Sequence, residues 1–311
     1  MNKMKIIFMG TPDFALKTLA ALEREFGVGM VITQPDKPSG RKKEIVYSPV
    51  KQFCLDKKIN FLQPAKLKEN EILLKNINDF APDLICVAAY GKILTKEILE
   101  APKIACINIH ASILPKYRGA APINRAIIDG VKETGVTIMD MDLGMDTGDI
   151  ISIEKIKIEN SDTTESLTNK LSNLGSKQII KFINELKIDP IYKSVSQNHG
   201  ESTLAPKMNQ ADGIIDWTKS ADEIFNLIRG CSPWPIAHTR IKDKIIKIHK
   251  ATLDDSPKLS PGAIKNVEGN MIVGCKDRNL KIIEIQKSGQ KKISAKDFLN
   301  GISNISEPVF R

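Results

Sequence analysis

An amide and an imidazole stand two residues apart where the apolar run Ile104 to Ile109 ends. Asn108 and His110 open the stretch N-I-H-A-S-I-L-P-K-Y-R-G-A-A-P, which continues to Pro122. Residues i and i+2 of a strand point to the same face, so both side chains would reach one pocket from one edge of a sheet. Asp146 follows in D-L-G-M-D-T-G-D, a loop whose glycines, Gly144 and Gly148, leave the backbone free to turn sharply. An amide donor, a proton-handling imidazole and a carboxylate to orient it are what acyl-type transfer needs. A lone histidine is more often structural than catalytic. His110 stands apart because Asn108, Ser112 and Pro115 surround it, whereas His199, His238 and His249 have no such company and are assigned structural roles.

These groups must be held by regular elements. Lys5 to Met9 is a β-rich run ending at Gly10, followed by a helical pattern with Phe14, Leu16, Leu19 and Leu22 that closes at Gly27. Val28 to Thr33 predicts a second strand, and Asp83 to Ala88, Ile104 to Ile109 and Val136 to Met141 predict further buried strands. Helices fall between them at Val50 to Lys57, Leu67 to Phe80 and Pro122 to Ile128. Alternating units with continuously apolar strands imply an α/β domain with a parallel sheet covered on both faces. Sites in such sheets lie beyond the carboxyl ends of the strands, where Asn108 and His110 stand. A long helix is expected from Thr164 to Leu186, and Lys187 to Pro206 has no clear pattern. Beyond it, a helix over Ala221 to Arg229 precedes short strands at Ile236 to Ile241, Lys244 to His249, Met271 to Gly274 and Leu280 to Gln286. That spacing predicts a small OB-like barrel. The expected domains are therefore residues 1–187, a linker over 188–207 and a barrel over 208–311.

Composition narrows the function classes. The first βα turn, M-G-T-P-D-F-A, has one glycine where a dinucleotide fingerprint needs three, so no NAD or FAD site is expected, and there is no P-loop. The five cysteines are scattered without a C-x-x-C pair, which argues for reduced core thiols and against a disulfide framework or a zinc site. The longest apolar run, Leu84 to Tyr90, is far too short to span a membrane, and no secretory segment is recognisable. A cytoplasmic protein with no membrane partner is the expectation. Nothing demands a partner chain, so a monomer is expected. The net charge is +9, and Met208 to Arg311 holds 17 Lys/Arg against 12 Asp/Glu, a net of +5. A basic C-terminal module suits a polyanionic partner and equally suits a solvated basic surface. Gln34 to Pro49 is longer than a βα connection needs, and Pro and Gly would keep it irregular. Its tip carries Arg41, Lys42 and Lys43, which suits a phosphate-contacting arm.

The stretch from His110 to Pro122 is very similar to the H-x-S-L-L-P-x-x-x-G-x-x-P signature of the 10-formyltetrahydrofolate-dependent formyltransferases. Ile113 replaces the usual Leu, which is nearly volume-neutral. Four further segments, M-G-T-P-D-F-A, T-Q-P-D-K-P-S-G-R, E-T-G-V-T-I-M-D-M-D-L-G-M-D-T-G-D and W-P-I-A-H-T, resemble the branch whose acceptor is methionyl initiator tRNA. The basic loop departs from that branch in having R-K-K-E where a glycine-spaced basic run is usual. The resemblance implies a Rossmann-like formyltransferase domain with a parallel-rich sheet, an OB-like tRNA-binding domain and 10-formyltetrahydrofolate as cosubstrate. It also implies formyl transfer to the α-amino group of methionine on initiator tRNA, for translation initiation. Asn108, His110 and Asp146 become the catalytic set, and Ser112, Ile113, Leu114 and Pro115 line the folate site. Tyr90, Gly91, Ile93 and Leu94 join them from another strand end at the same sheet edge. Arg41, Lys42 and Lys43 would contact the tRNA. The rival acceptor is an amino-sugar nucleotide, and a binding module without catalysis is the reading from a different class.

Overall fold

A computed structural model describes residues 4–39, 44–302 and 308–311. Ile6, Ile7, Phe8 and Met9 are all fully buried, so this run can only be a central strand, and it forms β1 (Ile6–Gly10). Helix α1 (Asp13–Glu25) follows, then β2 (Met30–Ile32) and a short antiparallel pair, β3 (Lys37–Ser39) and β4 (Glu44–Val46). The long loop is therefore partly regular rather than irregular throughout, because β-branched Ile45 and Val46 supply a strand opposite Lys37 and Pro38. Arg41, Lys42 and Lys43 lie outside the described residues.

Helix α2 (Pro49–Lys57) starts with proline at its first position, where the missing N–H costs nothing, and the Ser48 hydroxyl accepts from the Lys51 N–H at 3.2 Å. After β5 (Phe61–Leu62), helix α3 (Glu71–Phe80) starts four residues later than Leu67. The Asn70 side-chain oxygen Oδ1 accepts from the Leu73 N–H at 3.0 Å and sets the boundary. Then come β6 (Leu84–Ala88), α4 (Lys96–Leu99), β7 (Ala105–His110), α5 (Pro122–Ile128), β8 (Glu133–Asp140), β9 (Ile150–Lys157) and α6 (Thr164–Ile188). The sheet order is β5-β2-β1-β6-β7-β8-β9. Strands β5, β2, β1, β6 and β7 are parallel. Strand β8 runs antiparallel to β7, which corrects the expectation of a parallel sheet there. Only a few residues separate α5 from β8, and its apolar positions are as fully buried as those of a parallel strand, so patterning could not report its direction. Strand β9 was not anticipated, since I-I-S-I-E-K-I-K carries three charges and is only partly buried.

The chain divides into two units. The first comprises Met1–Pro122, Glu133–Ile156 and Thr168–Pro206, and the second Ile123–Lys132, Lys157–Leu167 and Lys207–Arg311. The second contains α7 (Ala221–Gly230), capped by a Ser220–Glu223 capping box. Its strands are β10 (His238–Ile241), β11 (Lys244–Asp254), β12 (Ile264–Val267), β13 (Asn270–Gly274), β14 (Asn279–Lys287) and β15 (Ile293–Ser294), followed by α8 (Ala295–Asn300). They form an antiparallel sheet in the order β10-β11-β14-β13-β12, with β15 on β14. The chain's last residues join the two edges. Arg311 and Arg240 exchange N–H···O bonds of 2.9 Å on the β10 side, while Ile264 N–H donates to the Pro308 carbonyl at 3.0 Å on the β12 side. Phe310, buried and stacked on Trp217 with ring centroids 5.5 Å apart, anchors that tail. Among the described residues no helix is long and apolar enough to cross a membrane.

Candidate active site

The carboxyl ends of three parallel strands lie side by side. Gly10 of β1 pairs Ala88 of β6, and Val87 of β6 pairs Asn108 of β7. Asn108 and His110 leave β7 on one face and are both almost fully buried, at 8% and 6% exposure. The antiparallel β8 sets Thr137 opposite His110. The Thr137 hydroxyl donates to the Ser112 carbonyl at 2.7 Å and accepts from the Leu114 N–H at 3.2 Å, which pins the chain just beyond His110.

Asp146 returns to this edge from the loop after β8. The Asn108 amide nitrogen donates to Asp146 Oδ1 at 3.4 Å, and His110 Nδ1 faces the same oxygen at 3.6 Å. The other carboxylate oxygen accepts from the Gly119 N–H at 2.7 Å. His110 Nε2 lies 2.9 Å from the Tyr117 carbonyl. A carbonyl only accepts, so Nε2 carries a proton and Nδ1 is the nitrogen turned toward Asp146. Two non-glycine residues here take left-handed backbone conformations, Tyr117 at φ 60° and Asp146 at φ 54°. Such conformations persist only where the surroundings hold them, and they gather at functional sites.

The loop's glycines have a different purpose from the one expected. Neither Gly144 nor Gly148 is among the residues with positive φ; that conformation falls on Asp146 itself. The glycines permit close approach. A Cβ on Gly148 would lie 1.9 Å from the Asp140 carbonyl oxygen, and one on Gly144 the same distance from Thr147 Oγ1.

The residues expected to line a folate site divide by what they can offer. Tyr90 and Leu94 point into the core with Ile85, Val87 and Ile98, so they can present only backbone to a ligand. Burial pushes the Tyr90 hydroxyl up to about 12, and it has no hydrogen-bond partner among the described residues. Gly91 is at φ 75°, beside Gln34, whose amide donates to the Tyr90 carbonyl at 2.6 Å. Ile93 is 72% exposed. Burial and the nearby Lys37 hold the Lys92 ammonium below its usual range, and it donates to the Pro64 and Ala65 carbonyls. The Ser112 hydroxyl is buried and bonded to the Lys116 carbonyl at 2.6 Å, and Leu114 is buried. Ile113 and Pro115 are partly exposed. Exposed Ile93 and the turning backbone at Gly91 are what this segment offers a ligand, which suits apolar contact and main-chain hydrogen bonds.

Sequence reasoning missed the residues that hold the site together. Arg118 lies inside the quoted motif, but Gln197, His199 and Thr203 come from the patternless segment before Pro206. The Tyr117 N–H donates to Thr203 Oγ1 at 2.9 Å. The Arg118 guanidinium, 6% exposed, donates to Gln197 Oε1 and to His199 Nδ1, the latter at 3.1 Å. His199 therefore has a partner at this edge, while His238 bonds the Ile236 carbonyl and His249 bonds Gln286. Among the described residues no group of three or more His, Cys, Asp or Glu side chains is arranged to hold a metal ion.

Comparison with known proteins meets this geometry from another direction. Residues 4–183 match the model of the formyl transferase family, and residues 207–303 that of the formyl transferase C-terminal domain. A methionyl-tRNA formyltransferase of Clostridium novyi is 44% identical over 313 residues, covering 99% of this chain and 100% of the relative. Another from Caldicellulosiruptor saccharolyticus is 45% identical over 305 residues, covering 96% and 97%. Among solved structures, an N-formyltransferase from Helicobacter canadensis in complex with folinic acid and dTDP-3-aminofucose superposes with a TM-score of 0.66. It is 21% identical, covers 91% of this chain and 99% of its own, and is similar in fold.

Proposed function

The chain belongs to the formyl transferase family, and from that premise we propose that it transfers the formyl group of 10-formyltetrahydrofolate to the α-amino group of methionyl initiator tRNA. The chemistry rests on one observation: the Asn108 amide and the His110 ring converge on a single oxygen of Asp146 at the carboxyl edge of the sheet. The acceptor rests on the near end-to-end similarity to relatives that carry that name.

In this reading the neutral amine attacks the formyl carbon. A C–N bond forms to the amine, the bond to N10 of the folate breaks, the amine loses a proton and N10 gains one. Asn108 donates a hydrogen bond to the oxygen on which charge develops. His110, with Nε2–H committed to the Tyr117 carbonyl, handles the proton at Nδ1, which faces Asp146 and is oriented by it. The Ala89–Leu94 turn and the Ser112–Pro115 segment hold the folate. No covalent enzyme intermediate is required. Arg41, Lys42 and Lys43 contact phosphates near the acceptor end of the tRNA, and the basic residues of the second unit hold its backbone. The enzyme works as a monomer.

A filter assay of labelled formyl transfer, run with charged initiator Met-tRNA beside a 4-amino-sugar nucleotide, tests this. Transfer to Met-tRNA alone supports the proposal. Transfer to the sugar alone would keep the chemistry and overturn the acceptor, and RNA binding without any transfer would leave a binding module.

A further inference from the structure

We propose that Gln197 is a positioning residue for formyl transfer, acting through the backbone of the Asp146 loop. The inference rests on the role given to Asp146 above.

Gln197 is 6% exposed, and its side-chain amide is fully used. Nε2 donates to the Asp146 carbonyl at 3.0 Å and to the Gly148 carbonyl at 2.7 Å. Oε1 accepts from both Nε and a terminal nitrogen of Arg118. A primary amide has two N–H donors and two acceptor lone pairs, so all four positions are filled. The connections close on themselves. Arg118 precedes Gly119, whose N–H holds Asp146 Oδ2, while Arg118 holds the Gln197 amide that grips the Asp146 main chain. Asp146 is thus held by its carboxylate from the β7 side and by its carbonyl from Gln197, in a left-handed conformation that aspartate visits more readily than most residues but that its surroundings must still hold.

The chemistry of the contact requires glutamine. Glutamate would turn oxygens toward two carbonyls, asparagine lacks the reach by one methylene, and methionine fills the space but makes no bonds. The hydrogen bonds of Gln197 go to Arg118 and to the Asp146 and Gly148 carbonyls and not to the three side chains assigned to the reaction, so its effect must pass through where Asp146 stands relative to His110. A group that merely stabilised the fold would not depend on the Asp146 carboxylate for its effect.

The test measures single-turnover and steady-state kinetics of Gln197→Met and Gln197→Glu, each in the wild-type and Asp146→Asn backgrounds, with initiator Met-tRNA and 10-formyltetrahydrofolate. Two substitutions guard against one failing to fold. We expect kcat to fall 10-fold or more with both KM values within about twofold, and no further fall in the Asp146→Asn background. Hydrogen exchange across residues 142–149 should quicken in both Gln197 variants. Full turnover in the Gln197 variants, a rise in KM alone, or the same fold-loss in both backgrounds overturns the inference while Asp146→Asn stays impaired. Full turnover of Asp146→Asn alone refutes the reading of Asp146, and the inference falls with it.

Discussion

In the proposed reaction Asn108 is the oxyanion donor: it is a buried amide at a strand end, with its amide nitrogen directed to Asp146. Its contribution should appear only as charge develops on the formyl oxygen. Asn108→Ala is expected to lower kcat by ~10²–10³ with little change in either KM. Steady-state kinetics decide the matter, since an equal loss of folate or tRNA affinity would make Asn108 a binding group. At this scale the sequence was informative because two residues on one strand have a relation that spacing determines. For Tyr90 and Leu94, expected at the folate site, it gave no side-chain direction, and both side chains lie in the core. Spacing in a loop does not report direction.

The loop from Asp140 to Asp149 is the element on which the site depends, and its shape comes from close contacts rather than from flexible joints. The Asp140 N–H donates to the Asp149 carbonyl at 2.9 Å, which closes the loop's base, and Gly148 passes directly against the Asp140 carbonyl. Adding one methyl there forces the backbone apart. Gly148→Ala should destabilise the protein by ~1–3 kcal/mol and lower kcat, because the displaced segment includes the Gly148 carbonyl that Gln197 holds. Urea unfolding and turnover measured on the same variant check both halves. Wild-type stability with wild-type turnover would show that close approach does not shape this loop. The antiparallel entry of β8 matters equally, since it carries Thr137 to His110 and delivers the loop to the right edge.

Across the whole molecule, both units bury their cysteines. Cys54, Cys86, Cys106, Cys231 and Cys275 are all free and buried. Burial pushes the Cys54 thiol up to about 11 and those of Cys106, Cys231 and Cys275 up to about 12, and it raises Cys86 as well. The thiolate is the reactive form, so at pH 8 the native protein should titrate almost none of its thiols with Ellman's reagent, and all five after denaturation. Rapid reaction of one thiol in the native state would identify a unit that opens locally. Charge acts at this scale too. The excess of Lys and Arg after Met208 falls in the second unit, whose sheet edges are tied by main-chain bonds to residues 308–311.

What the sequence determined by itself was local. Continuous apolar runs made β1, β6 and β7 buried strands, helical periodicity marked α6 within two residues of its end, and the pair Asn108 and His110 followed from a strand's two-residue repeat. Asp146 is grouped with Asn108 and His110 already in the sequence, but only the tertiary structure decided which of their atoms meet and which further residues join them. Asp146 reaches Asn108 across 38 residues and Gln197 reaches Arg118 across 79. The first joins a loop to a strand end and the second joins a loop to a patternless segment, and neither periodicity nor composition signals either contact. Strand direction was decided there as well, because a fully buried strand looks the same in sequence whichever way it runs.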